Sequence, residues 1–230
     1  MRIAALLLVF SLGCSSAPPE KPPREAPKPK TITERVAERT RDRLADLLMS
    51  HPDDGVADLY GEMNMTGELI LSVSDKPLKT SGESIVPLSV IFVRGTNGAV
   101  QPVLLANSQF MLDRANPDWQ LWIVLSHESV HLRQWKRGLI PIISPYEPMR
   151  EHTEEEARKY FEMEAEATIF ECKQAVQYGL PLFERNGTHA AYRTDGEDAM
   201  REQLAELYCE VGWQPLHCEL FQEQARALPH

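Results

Sequence analysis

Between residues 32 and 49 the apolar positions Ile32, Val36, Leu44, Leu47 and Leu48, with Thr40 among them, recur every three or four residues between charged ones. That spacing gathers them on one side of a 3.6-residue helix and predicts an amphipathic helix over Ile32–Met49. The period then changes: Leu69–Val73, Ile85–Val93 and Val100–Leu105 have strand character, and Gly95-Thr96-Asn97-Gly98 reads as a hairpin-type turn. The helical period returns through Trp119, Trp122, Ile123, Leu125 and Val130. Asn116 as N-cap with Pro117 at the first helical position starts this helix, and it runs to about Arg137, where Lys136 and Arg137 favour the negative end of the dipole and Gly138 stops it. A second strong helix opens on Thr153-Glu154-Glu155-Glu156, a reciprocal cap between Thr153 and Glu156. It continues through Ala157, Phe161, Ala165, Ile169 and Val176 and stops at Gly179 and Pro181. Thr194–Cys209 and roughly Cys218–Leu228 also read as helical. The fold class this implies is α+β: a small sheet, then a long helix, then a mainly helical C-terminal half.

The helix after the strands carries His127-Glu128-Ser129-Val130-His131. Residues four apart lie about one turn apart on one face, so both imidazoles can reach a single zinc ion while Glu128 sits beside the metal's open position. A buried apolar helix makes two histidines and a carboxylate costly unless something pairs them. The chemistry assigns roles: His127 and His131 hold zinc, the metal acidifies a bound water and polarises a scissile carbonyl, and Glu128, not itself a ligand, takes the water's proton and passes it to the leaving amine. Such a site needs a third protein ligand, and the acidic second helix is where to look for it. It also calls for a donor to the developing oxyanion. Tyr146, His189, Tyr192 and His217 are candidates, with His189 and Tyr192, in the loop following the second helix, preferred.

The second helix contains Tyr160-Phe161-Glu162-Met163-Glu164-Ala165-Glu166-Ala167. With the HExxH helix before it, this resembles the gluzincin metallopeptidases, in which the following helix carries a ligand Glu and, four residues on, a second acid. Glu162 with Glu166 fits that spacing, whereas Glu164 has Thr168 four places on. The resemblance therefore implies a zincin-like fold in which Glu162 is the third zinc ligand. Phe161–Glu166 is also similar to the F-E-x-x-A-D stretch of CAAX prenyl protease-type gluzincins, which implies that Glu166, standing where Asp is usual, orients a ligating histidine. Gluzincins place their strands above the cleft, where an edge strand can pair with an extended peptide. The apolar loop Ile140–Tyr146 is then a cleft wall or lid, or a small satellite core.

Met1-Arg2 followed by the apolar run Ile3–Leu12 is too short to span a bilayer and reads as a signal peptide, residues 1–13. Its end, Ser11-Leu12-Gly13-Cys14, resembles the bacterial lipobox, which implies acylation of Cys14; cleavage after Ala17, followed by Pro18, is the rival reading. Residues 14–30 form a tether, with six prolines between Pro18 and Pro29 interleaved with charges, a composition that favours extended polyproline II. Residues 31–230 are long enough for one sizeable core. The net charge is −10 and the tether is net basic, so the acid excess lies in this domain and disfavours nucleic acid as a partner. Beyond Cys14, the cysteines Cys172, Cys209 and Cys218 permit one disulfide and one thiol, with Cys209–Cys218 the expected pair. Two functions follow: a zinc metallopeptidase lipid-anchored in the bacterial cell envelope, cleaving peptides or proteins there, or a non-catalytic envelope lipoprotein that binds a partner or a structural zinc. Retention of Glu128 favours the enzyme.

Overall fold

The first apolar stripe forms its helix with the bounds its period sets: α1 spans Ile32–Met49 and buries Thr40, Leu44 and Leu47. Thr40 sits in that stripe because its hydroxyl donates back to the Val36 carbonyl. A helix that the pattern reading does not anticipate follows, α2 over Asp54–Met65. It is started by the Asp53 carboxylate accepting from the Gly55 amide, and it buries Val56, Tyr60 and Met63. This computed structural model describes residues 30–76, 78–79, 85–139, 153–181, 187–210 and 215–227. The signal segment, Cys14, the tether up to residue 29 and the loop Ile140–Tyr146 lie outside the described residues.

The sheet is small and mixed. Strands β1 (Ile70–Ser74), β4 (Leu88–Arg94) and β5 (Val100–Asn107) stand in the order β1-β5-β4, while β2 (Leu78–Lys79) and β3 (Ile85–Val86) pair separately. The run expected as one strand over Ile85–Val93 is broken at Pro87, which has no amide to donate; its carbonyl accepts from Asn107 and opens the β4–β5 hairpin. From that bond the odd positions of β4 face β5, so the backbone groups of Leu88, Val90 and Phe92 point to the other edge, which pairs with no strand among the described residues. Pro102 therefore stands opposite Phe92 without removing a ladder bond. β1 runs parallel to β5, and Asn107 at the end of β5 caps the short α3 (Ser108–Leu112) through its side chain.

The central helix α4 spans Asp118–Lys136. Its N-cap is Pro117 rather than Asn116, whose side chain donates instead to the Phe110 carbonyl; Asp118 is paired with Arg43 of α1. Beyond it Gly138 takes φ 78°, the left-handed stop that glycine permits. α5 spans Glu154–Gln177 and carries the reciprocal Thr153–Glu156 cap that its sequence predicts. The segment around residue 189, expected as loop, is helical: α6 covers Gly187–Asp195 and is separated by Gly196, at φ 86°, from α7 (Glu197–Glu210), and α8 covers Pro215–Ala227.

Two cores result. One joins α1, α2, the sheet and α4 around Leu47, Tyr60, Leu88, Leu104, Leu121 and Leu125. The other joins α5, α7 and α8, with Phe161 stacked on Phe221 at 5.2 Å. A smaller cluster of Ile123, Cys172 and Ala175 fastens α4 to α5 between them. Residues 32–230 thus make one compact unit of α+β class, mostly helical. Cys172, Cys209 and Cys218 form no disulfide, so the expected Cys209–Cys218 bridge is not seen. Those two thiols do touch: burial, and then the contact with Cys218, push Cys209 up to about 12. No helix among the described residues is long and apolar enough to cross a membrane.

Candidate metal centre

α4 presents His127 and His131 one turn apart with their rings edge to face, centroids 5.0 Å apart. Their Nε2 atoms stand 3.2 Å from each other. A carboxylate from α5 completes the group: Glu164 lies 3.5 Å from His127 Nε2 through one oxygen and 3.5 Å from His131 Nε2 through the other. Ligands held tetrahedrally at about 2.0–2.1 Å from zinc lie roughly 3.3 Å apart, so these three groups already have the mutual spacing of one metal's ligand set. His127, His131 and Glu164 could hold a metal ion. The His127 and Glu164 side chains are 18% and 17% exposed, which leaves an approach from solvent.

The third acid is thus Glu164 and not Glu162. Two residues along a helix turn the side chain by about 200°, so the two face nearly opposite ways. Glu162 faces the C-terminal helices, where its carboxylate accepts from Arg201 of α7 at 3.2 Å and Gln224 of α8 at 3.4 Å. The four-residue spacing that singles out Glu162 with Glu166 does describe one face of α5, but Glu162 turns to the C-terminal helices and Glu166 meets Gln134 and Arg137, not the histidines. On the facing side the partner acid stands seven residues on, two turns away, as Glu171.

Both imidazoles are held at Nδ1. His127 Nδ1 donates to Glu171 Oε2 at 3.0 Å, and His131 Nδ1 donates to Gln134 Oε1 at 2.9 Å. Gln134 in turn donates to the Met163 carbonyl and to Glu166 Oε2, and Glu166 accepts from Arg137. Glu166 therefore reaches a histidine only through Gln134. With both Nδ1 atoms donating, the two Nε2 atoms face each other beside a carboxylate, an arrangement that favours a shared cation, a metal ion or a proton, between them. The charge balance agrees. Burial disfavours a charged His127, yet Glu171 and Glu164 outweigh it and raise its pKa well above the ordinary value. Burial likewise opposes the Glu171 charge, and His127 and His189 overcome it and hold that carboxyl down to about 2.

Glu128 lies on the same helix but outside the ligand set. Its Oε2 accepts from the outward amide of Val90 on the edge strand β4, at 2.6 Å. Burial pushes its carboxyl up, against His131, His127 and the Val90 amide, which favour its charge. That balance brings a carboxylate toward the range useful to a general base.

The two preferred oxyanion donors stand elsewhere. His189 is fully buried on α6, behind Glu171, with Nε2 2.6 Å from Glu171 Oε1. Tyr192 packs against Ile123, Cys172 and Ala175, with Glu197 and Lys173 as its charged neighbours. Burial, before those charges, raises its hydroxyl. Its neighbours Cys172 and Ala175 follow Glu164 by eight and eleven residues, which puts Tyr192 roughly two to three turns along α5 from that acid. Tyr146 and the side chain of His217 lie outside the described residues. Gln134, Glu164 and Glu171 are the members missing from the sequence reading. A buried amide three residues beyond a motif histidine, and acids spaced by seven on the next helix, are the signals that carry them. No protein-family model, curated protein or solved structure matches the chain.

Proposed function

We propose that this chain is a zinc-dependent metallopeptidase, zincin-like in fold and gluzincin-like in ligand set, that hydrolyses peptide bonds of proteins or peptides in the bacterial cell envelope. One observation carries the reading: two Nε2 atoms 3.2 Å apart, each 3.5 Å from Glu164, with both Nδ1 atoms already engaged and a non-ligating carboxylate one residue away. Zinc, when bound by His127, His131 and Glu164, supplies a Lewis acid that acidifies water and polarises a carbonyl. Glu128 accepts a proton at its carboxylate and delivers it to the leaving amine, the exchange its raised pKa favours. The edge of β4 that pairs with no strand among the described residues supports a peptide substrate, because the backbone groups of Leu88 and Phe92 flank Val90 and can pair with an extended chain. Acyl chains on Cys14 and the proline-rich tether hold the domain near the membrane.

The test is zinc content and peptide hydrolysis of the purified full-length chain beside Glu128→Gln. Near one zinc per chain is expected in both, with hydrolysis of a mixed peptide library at least ~10²-fold slower in the variant. Loss of zinc in Glu128→Gln would place Glu128 among the ligands and sink the base assignment. Zinc in both with hydrolysis in neither would favour the binding lipoprotein.

A further inference from the structure

Behind the histidine pair lies a second buried cluster, Glu171, Cys172 and His189, whose polar atoms fall within 4.8 Å of one another. Its chemistry is not that of a second metal site. Glu171 Oε1 and His189 Nε2 are 2.6 Å apart, the length of a charge-assisted hydrogen bond already made. Cys172 packs with Ile123 and Ala175, and burial, reinforced by Glu171, raises its thiol, which disfavours the thiolate a metal requires.

What the cluster does contain is a continuous chain of hydrogen bonds from α6 to the metal-facing face of α4: His189 to Glu171 at 2.6 Å, and Glu171 to His127 at 3.0 Å. We propose that His189 is a positioning residue for His127, acting through Glu171; this rests on the metal-centre reading above. A carboxylate held at one oxygen can still rotate about its last bond. Held at both, by His127 on Oε2 and by His189 on Oε1, it presents a fixed acceptor to His127 Nδ1 and so fixes the imidazole plane and the direction of Nε2. Burial makes the second partner necessary. Glu171 is buried and His189 fully so, and a buried carboxylate oxygen stripped of its donor costs enough to drive the side chain to another arrangement. α6, a helix that supplies no ligand, thereby sets the geometry of one.

The experiment uses the purified full-length chain, zinc-competition titration against a chelator, and the visible absorption of the cobalt-substituted protein. His189→Leu fills the space but removes the donor, whereas His189→Gln keeps an N–H at about the reach of Nε2. Zinc affinity is expected to fall ~10–100-fold in His189→Leu, the range for partners of ligating histidines. Its cobalt bands should broaden or shift, and His189→Gln should restore most of both. His189→Asn, whose amide stops short of Glu171, should show the same loss and serves if the leucine variant does not fold. Wild-type affinity and wild-type cobalt bands in a folded His189→Leu or His189→Asn would overturn the proposal. So would a second zinc equivalent in the parent that disappears in Cys172→Ser, since the cluster would then be a metal site. Failure of the parent chain itself to bind zinc or cobalt would instead refute the metal centre, and this inference with it.

Discussion

The two motif histidines are supported from behind in unlike ways. His127 leans on a charge, the buried Glu171, which is itself backed by a fully buried histidine. His131 leans on a neutral amide, Gln134, and the charges follow only at the surface, where Glu166 and Arg137 pair in the open. The difference lies behind the rings and not in their depth, since His131 is 8% exposed against 18% for His127 and Gln134 is fully buried. A carboxylate can be buried behind His127 because two imidazoles share it, whereas the buried amide behind His131 relays to a screened ion pair. A carboxylate makes its imidazole a stronger ligand than an amide does, so the His127 side should dominate metal affinity.

Removing the acid that both histidines share should have the largest effect. Glu164→Ala is expected to weaken zinc binding by more than ~100-fold, beyond the range for groups that act behind a ligand, while Glu162→Ala stays within about threefold of the parent. The reverse order, read by chelator competition, would mean that α5 is rotated by half a turn. Next come the two supports themselves. Glu171→Gln should cost zinc affinity toward the upper end of ~10–100-fold and Gln134→Ala toward the lower end; equal losses would erase the distinction between a charged and a neutral support. Glu166→Gln, one step further out and half exposed, should change affinity by less than about threefold.

The smallest effect concerns a third buried histidine, His51, held only by neutral groups. Its Nδ1 accepts from the Asp53 amide, and its Nε2 faces the Trp122 carbonyl, in the helical turn just before the motif. Burial lowers its pKa, against the Trp122 and Asp53 carbonyls, which favour the charged ring. A folded-state pKa below the ordinary 6.5 means that the unfolded chain binds the extra proton first. Its contribution is therefore full above 6.5 and falls away as the pH drops through that value. In metal-free protein, the melting-temperature advantage of the parent over His51→Gln should shrink between pH 7.5 and pH 5. An advantage that grows toward acid would show that the ring is charged in the native state.

The parts that local patterns specify were the legible ones. The capping box at Thr153, the stop at Gly138 and the bounds of α1 each depend on residues within a turn or two, and each stands where its residues place it. α2 and α6 were not legible as helices, because both are short and take their order from what they bury: Tyr60, whose hydroxyl donates to the Leu125 carbonyl, and His189. The disulfide between Cys209 and Cys218 was expected from spacing; the two side chains are in contact but are not bridged.

The chain by itself determined that α4 carries His127, Glu128 and His131 with both histidines on one face, since a spacing of four on a helix is geometry local to that segment. It also determined that an acidic helix follows. Only the tertiary structure decided which of the eight glutamates between Glu151 and Glu171 meets the histidines. α5 is packed on two sides, by Phe161 and Ala165 against the C-terminal helices and by Cys172 and Ala175 against α4, so its apolar pattern has no single stripe from which its rotation could be read. The stacking of Phe161 on Phe221 and the fit of Cys172 beside Ile123 set that rotation, and with it Glu164 and Glu171 turn inward while Glu162 turns to Arg201.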